Sequence, residues 1–299
     1  MESIISAWEL AIGLFADGFL SLVCAAAILP ALGVLLAYRR LPFTAMAIPA
    51  TAGAGAAVGY WVWPLLAGFT LDAPPTPPPP LLLVAGGLLI LLLGIAFISG
   101  REERSGSAEP RAAILFLGAT AAAELLLQAS PYEEAASSWL RQGRVLSVLP
   151  EGRWRVILMT TLVSVLLLRH RRALLLTAVD RDLAVTAGLP ERRWRFATLA
   201  LVSLACLVTV PELGPHIVLA LLLVPSILLV PRAVTFPRAL LLTSLAGVSS
   251  AVCAFLTSVV LDRPVTPCLV LSTIAVSAAL RPLAALDRAG AGRLVRPTL

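Results

Sequence analysis

Lysine is missing from this sequence: all 23 of its basic residues are arginine. A P-loop needs its lysine to reach the nucleotide phosphates, so the chain holds no orthodox Walker A site. Charge of either sign is scarce. Charged residues make up 13% of the 299 and apolar residues 59%, whereas a soluble domain carries about 25% charged residues. Histidine occurs only as His170 and His216. Neither an HExxH nor a GxSxG motif is present, which removes the usual signatures of membrane-embedded metalloproteases and lipid hydrolases. The four cysteines, Cys24, Cys206, Cys253 and Cys268, show no CxxC spacing and lie within or beside apolar runs. They read as buried free thiols rather than disulfides or metal ligands. The arginines form small groups at the ends of apolar runs, so no nucleic-acid partner is expected. The first residues lack a basic n-region and the first basic residue is Arg39; no secretory signal peptide is expected.

The long apolar runs, with a mean hydropathy of +0.93, point to a bilayer. The pattern predicts a single all-α membrane domain over residues 1–299, a polytopic bundle of eight or nine transmembrane segments. Residues 1–14 have mixed polarity and read as an interfacial helix. Spans are expected at 15–38, 43–71, 81–99, 112–129, 154–168, 196–210, 217–230, 239–261 and 265–280. A proline-rich connector, 73–80, should be extended. The runs at 196–210 and 217–230 fall short of the roughly 20 residues a full crossing needs, so this hairpin is expected to be tilted, partly re-entrant or broken.

Arginine bias sets the orientation. With the N-terminus outside, the loops at 39–42, 101–111, 169–195 and 231–238 and the tail at 281–299 face the cytoplasm and carry 18 of the 23 arginines. The expected location is the bacterial inner membrane, with the C-terminus cytoplasmic.

Four local patterns recur in order along the chain. They are GVLLAYRRLPF at 33–43, VDRDLAVTAGLP at 179–190, LGPHIVLALLLVP at 213–225 and LDRPVTP at 261–267. Together they resemble the metal-type (zinc, manganese, iron) ABC transporter permease family, as a divergent member. The resemblance implies the bundle fold of the vitamin B12 and metal ABC importers and a homodimer. It implies a cytoplasmic ABC ATPase that uses the ATP, and an extracytoplasmic solute-binding protein. No cofactor is expected on this chain. The missing P-loop independently requires a separate ATPase if the transporter is active.

The second pattern, within the cytoplasmic segment 173–195, has a physical reading of its own. Asp180 is a good N-cap, Gly188 a natural C-cap, and Pro190 a stop. This predicts a helix of about two turns with Leu183 and Ala184 on its apolar face, a shape that an ATPase could grip. An ordinary capped helix resting on lipid is the competing reading. The resemblance favours coupling through Asp180, Leu183, Ala184 and Gly188.

The sequence departs from the family in span two. The family usually places an Asp and, four residues later, a His there, on one helix face and suited to a metal. Here those positions are Met46 and Ala50. A thioether suits Cu(I) better than Zn or Mn, and alanine ligates nothing. The other candidates for a translocation path are Glu124, an ionisable residue inside span four, and the pair Glu212 and His216. These two are four apart around a break and are the candidate metal ligands. Gly53, Gly55 and Gly59 allow close helix contact, either within the bundle or at a pore or dimer face. A divalent metal such as Zn or Mn is the expected cargo. A non-metal cargo and a stand-alone ion-coupled carrier remain the alternatives.

Overall fold

The computed structural model describes residues 2–67, 78–99, 108–132, 138–140, 143–179, 181–233 and 235–283. Its elements are α1 (Glu2–Tyr38), α2 (Pro42–Ala67), α3 (Pro80–Ser99), α4 (Ala108–Gln128), α5 (Pro150–Val179), the short α6 (Arg181–Thr186), α7 (Glu191–Leu213), α8 (Pro215–Leu229), α9 (Phe236–Leu261) and α10 (Val265–Ala279). Proline opens α2, α3, α5 and α8. Its fixed φ and missing N–H cost nothing at a first helical position. A non-helical Phe15 (φ −117°, ψ 24°) kinks α1, at the expected junction between the interfacial stretch and the first span. Residues 73–77 of the proline-rich connector, most of the 101–111 loop and most of the tail lie outside the described residues, and Pro80, the connector's last residue, already opens α3.

Eight helices among the described residues are long and apolar enough to cross a membrane. The hairpin expected to be short or broken is two such helices, because the chain is already helical from Glu191, through the arginines that seemed to bound the run. The expected fifth span is also longer. Helix α5 runs for 30 residues without a break, past the basic cluster at 169–172, where the sequence suggested an end. Its apolar stretch is flanked closely by Arg153 and Arg155 on one side and Arg169, Arg171 and Arg172 on the other, which sets it apart from the eight. Yet it packs along both α1 and α7, and at 1.5 Å per residue it is about 45 Å long.

Helix α2 is the centre of one half of the bundle, against α3, α4, α7 and α8; α1 is the centre of the other, against α5, α8 and α9. Of the apolar stretch of α2, 78% is buried, against 22% for α4 and 28% for α3. The last two therefore turn most of their surface outward, as lipid-facing helices do. Such close packing depends on small residues. A Cβ on Gly55 would collide with the Gly86 carbonyl, and one on Gly59 would press on Leu83. The glycine pair of span two thus serves packing of α2 on α3 inside one chain. Cys206 is buried but Cys253 is exposed, a correction to the expectation of four buried thiols.

Contacts between distant segments sort into two ends. At one, the Arg39 guanidinium donates to Thr177 Oγ1 (2.9 Å), and the Glu109 carboxylate accepts from the Phe43 N–H (2.8 Å) and the Thr44 hydroxyl (2.9 Å). Glu109 thereby caps the start of α2 from α4, satisfying donors that a helix N-terminus leaves open. Burial lowers the Arg39 pKa, with Glu191 opposing the shift and Arg195 adding to it. At the other end, Arg153 pairs with Asp17, Arg155 with Glu212 at 2.8 Å, and Arg144 donates to the Tyr60 hydroxyl at 3.4 Å. Each contact joins segments that the alternating topology puts on the same side.

Gly55→Leu should overpack the α2–α3 contact and lower stability by about 1–3 kcal/mol. Gly118→Ala, where a Cβ meets nothing within 4 Å, should leave it unchanged or slightly raised. Thermal unfolding of both variants in detergent checks the pair.

Candidate translocation cavity and coupling helix

The turn between α7 and α8 is a single residue, Gly214, at φ 97° and ψ 151°, a conformation reserved for glycine. It is buried, and Pro215 rests 3.5 Å from the Cβ position of Gly53, near the middle of α2. A turn inside an apolar bundle exposes carbonyls that must find donors. The connection between α4 and α5 supplies one. Trp139, 1% exposed, donates from Nε1 to the Pro211 carbonyl at 3.2 Å and packs against Tyr60. His216 Nδ1 lies 2.7 Å from the Leu140 carbonyl. A carbonyl only accepts, so Nδ1 carries the proton and a neutral ring presents Nε2 as a lone-pair donor.

Beneath this cap lies a cavity of about 160 Å³. Helix α2 lines it with Met46, Ala50 and Gly53, α4 with Thr120 and Glu124, and α8 with Pro215 and His216, while Leu140 comes from the cap. Four residues singled out from sequence on separate grounds, Met46, Ala50, Glu124 and His216, therefore meet in one place. Met46 is half-buried, Ala50 buried, and Glu124 and His216 exposed. Among the described residues, no hydrogen-bond or ion-pair partner of Glu124 is found.

Glu212 is not brought to this cavity. Its carboxylate pairs with Arg155, with 14% of the side chain exposed, and sits over Gly152, where a Cβ would strike it. The Gly214 turn breaks the helical phase, so the expected Glu212–His216 pairing gives way to two residues with separate partners. Among the described residues no group of three or more His, Cys, Asp or Glu side chains could hold a metal ion. The sequence reading missed Thr120 and Leu140 as lining residues. It also missed the clamps of α5 to α1 and α7, for which the opposite charges of Arg153, Arg155, Asp17 and Glu212 were the available signal.

At the other end, α6 is six residues long and packs on α5 and α7. The Leu189 N–H reaches the Ala184 carbonyl (2.9 Å) and the Gly188 N–H the Val185 carbonyl (3.0 Å), with Gly188 at φ 73°. This is a Schellman cap closed by glycine, as the spacing predicts. Ala184 is fully buried and anchors the helix, while Leu183 and Val185 are 54% and 58% exposed. A shallow groove lined by Val185, Leu189, Pro190 and Arg193 lies beside them. Asp180 lies outside the described residues.

A multi-pass helical bundle with a polar-edged cleft and a glycine-capped helix at the opposite end has the architecture of a membrane transport subunit. The profile of the ABC 3 transport family matches residues 10–281, and the chain belongs to that family, the permeases of ABC importers. A search of curated proteins finds no match. Among solved structures, the fold is similar to PsaBC from Streptococcus pneumoniae in complex with Fab, with a TM-score of 0.75, 16% identity, and 91% of this chain and 94% of that one covered. It is also similar to a metal-chelate type ABC transporter in an inward-facing conformation, with a TM-score of 0.68, 18% identity, and 91% and 85% covered. At these identities the likeness establishes the fold. The family implies an ATPase and a binding protein as partners.

Glu212→Ala should cost roughly 1–2 kcal/mol, since it leaves a half-buried Arg155 without its carboxylate. Glu124→Ala should leave the unfolding temperature unchanged. Equal losses in the two variants would contradict the separation of a structural from a functional carboxylate.

Proposed function

We propose that this chain is the permease of an importer for a divalent metal ion of the Zn or Mn class, delivered by an external binding protein and driven by a separate ATPase. It works as a homodimer in a bacterial inner membrane, with its N-terminus outside and its C-terminus in the cytoplasm. The observation that carries the reading is α6: a short helix with a glycine-closed cap, anchored by Ala184 and presenting Leu183 and Val185 outward. It lies at the end of the bundle that also carries Arg39 and, by the positive-inside rule, belongs to the cytoplasm. A capped helix with exposed apolar side chains gives a moving ATPase a rigid handle, and its contacts with α5 and α7 pass the motion into the bundle.

In this mechanism the chain cycles between outward- and inward-open arrangements as the ATPase dimer closes and opens. Its own residues provide a cavity at mid-α2 depth. The polar groups of Glu124, His216 and Thr120 replace part of the hydration of a passing ion, and the Trp139 cap shields it from the outer side. The imidazole of His216 and the carboxylate of Glu124 in the cavity support zinc or manganese as the class of cargo. A stand-alone ion-coupled carrier is the second reading. The one observation in its favour is Glu124 itself, an intramembrane carboxylate of the kind proton relays use.

The test is co-purification of the tagged chain with its genomically neighbouring ABC ATPase. Wild type should form a stable complex with ATPase activity. A Leu183→Arg, Gly188→Trp double variant should lose the complex while keeping its unfolding temperature within a few degrees, since Gly188 faces open space and the strain of a side chain at positive φ costs about 1 kcal/mol. Failure of the wild type to hold any ATPase in mild detergent would remove the importer reading.

A further inference from the structure

From α2, Met46 and Ala50 bring one thioether and no other side-chain donor to the cavity, yet the cavity is not devoid of ligating groups. Across from α2, Glu124 of α4 and His216 of α8 line the same cavity of about 160 Å³. His216 is oriented for ligation: Nδ1 donates to the Leu140 carbonyl at 2.7 Å, which fixes the ring and leaves Nε2 as its lone-pair nitrogen. Metal-ligating histidines characteristically donate their second nitrogen in this way. Glu124 has no hydrogen-bond or ion-pair partner among the described residues. It is exposed near the end of α4, where its carboxylate is free to meet a cation entering the cavity. Glu212, the other acidic residue near the turn, is occupied by Arg155 at 2.8 Å and does not compete.

We infer that His216 Nε2 and the Glu124 carboxylate form a cation contact in this cavity, and that the site takes Zn²⁺ in preference to Mn²⁺. This rests on the importer reading above for its role in transport, though not for its chemistry. Imidazole nitrogen suits Zn²⁺, whereas Mn²⁺ favours all-oxygen shells. Two protein ligands fall short of the four of a structural zinc site. The contact is therefore of moderate affinity, with water completing the shell, which suits an ion that must leave again.

The experiment uses the full-length chain bound to its ATPase in lipid nanodiscs, titrated with Zn²⁺ or Mn²⁺ against a chromophoric chelator. One Zn²⁺ per chain should bind at least tenfold more tightly than Mn²⁺. Glu124→Gln and His216→Gln should each weaken Zn²⁺ at least tenfold. The glutamine amide can still donate to Leu140, so the second variant keeps the cap and should keep its unfolding temperature. Met46→Asp should tighten Mn²⁺ at least tenfold. Zn²⁺ binding unchanged by either glutamine variant, or Mn²⁺ held as tightly as Zn²⁺ in the wild type, would overturn the site. The two readings separate cleanly. An ATPase complex with no His216-dependent binding defeats the site and leaves the importer. His216- and Glu124-dependent binding by a chain that holds no ATPase defeats the importer and leaves the site.

Discussion

The seat of the Gly214 turn against the middle of α2 is the constraint on which the rest of the bundle's functional geometry depends. A polar turn sunk among apolar helices must have its carbonyls satisfied, because a lost partner there costs as much as an unmade hydrogen bond in an apolar medium. The segment between α4 and α5 folds inward to do this. Trp139 reaches the Pro211 carbonyl, and His216 in turn reaches the Leu140 carbonyl. The same folding brings Leu140 to the edge of the cavity between α2, α4 and α8.

That arrangement explains why α2 is built from alanine and glycine. A helix crowded by α3, α4, α7 and α8 has no room for large side chains, and Gly55 and Gly59 let the α3 backbone approach. It explains the charge pairs around α5 as well. Arg153 and Arg155 tie the start of α5 to Asp17 of α1 and Glu212 of α7. The cap therefore hangs between α4 and a firmly anchored α5. At the far end, α6 packs on both α5 and α7, which also pack directly on each other.

Much of this was legible in the sequence, residue by residue. The apolar runs placed the spans. The Asp-to-Gly spacing of 180–188 predicted a short helix, and Gly188 closes it at positive φ. Met46, Ala50, Glu124 and His216 each stood out, as a departure from a motif, an intramembrane acid and a rare histidine. What periodicity could not supply was their convergence, which depends on a turn that resets the phase between Glu212 and His216. For the same reason the i, i+4 spacing of those two was misleading. Helix ends were misjudged where arginines were read as boundaries. A helix continues through charge once it leaves the membrane, as α5 does past Arg169 and α7 does before Phe196.

The central claim is that this chain moves its cargo only as the permease of an ATP-driven assembly. It is tested most directly by zinc uptake into proteoliposomes containing the chain, its ATPase and its loaded binding protein. The account predicts uptake that requires ATP and all three components and persists when the proton gradient is collapsed. Uptake by the chain alone, driven by a proton gradient and insensitive to ATP, would contradict it.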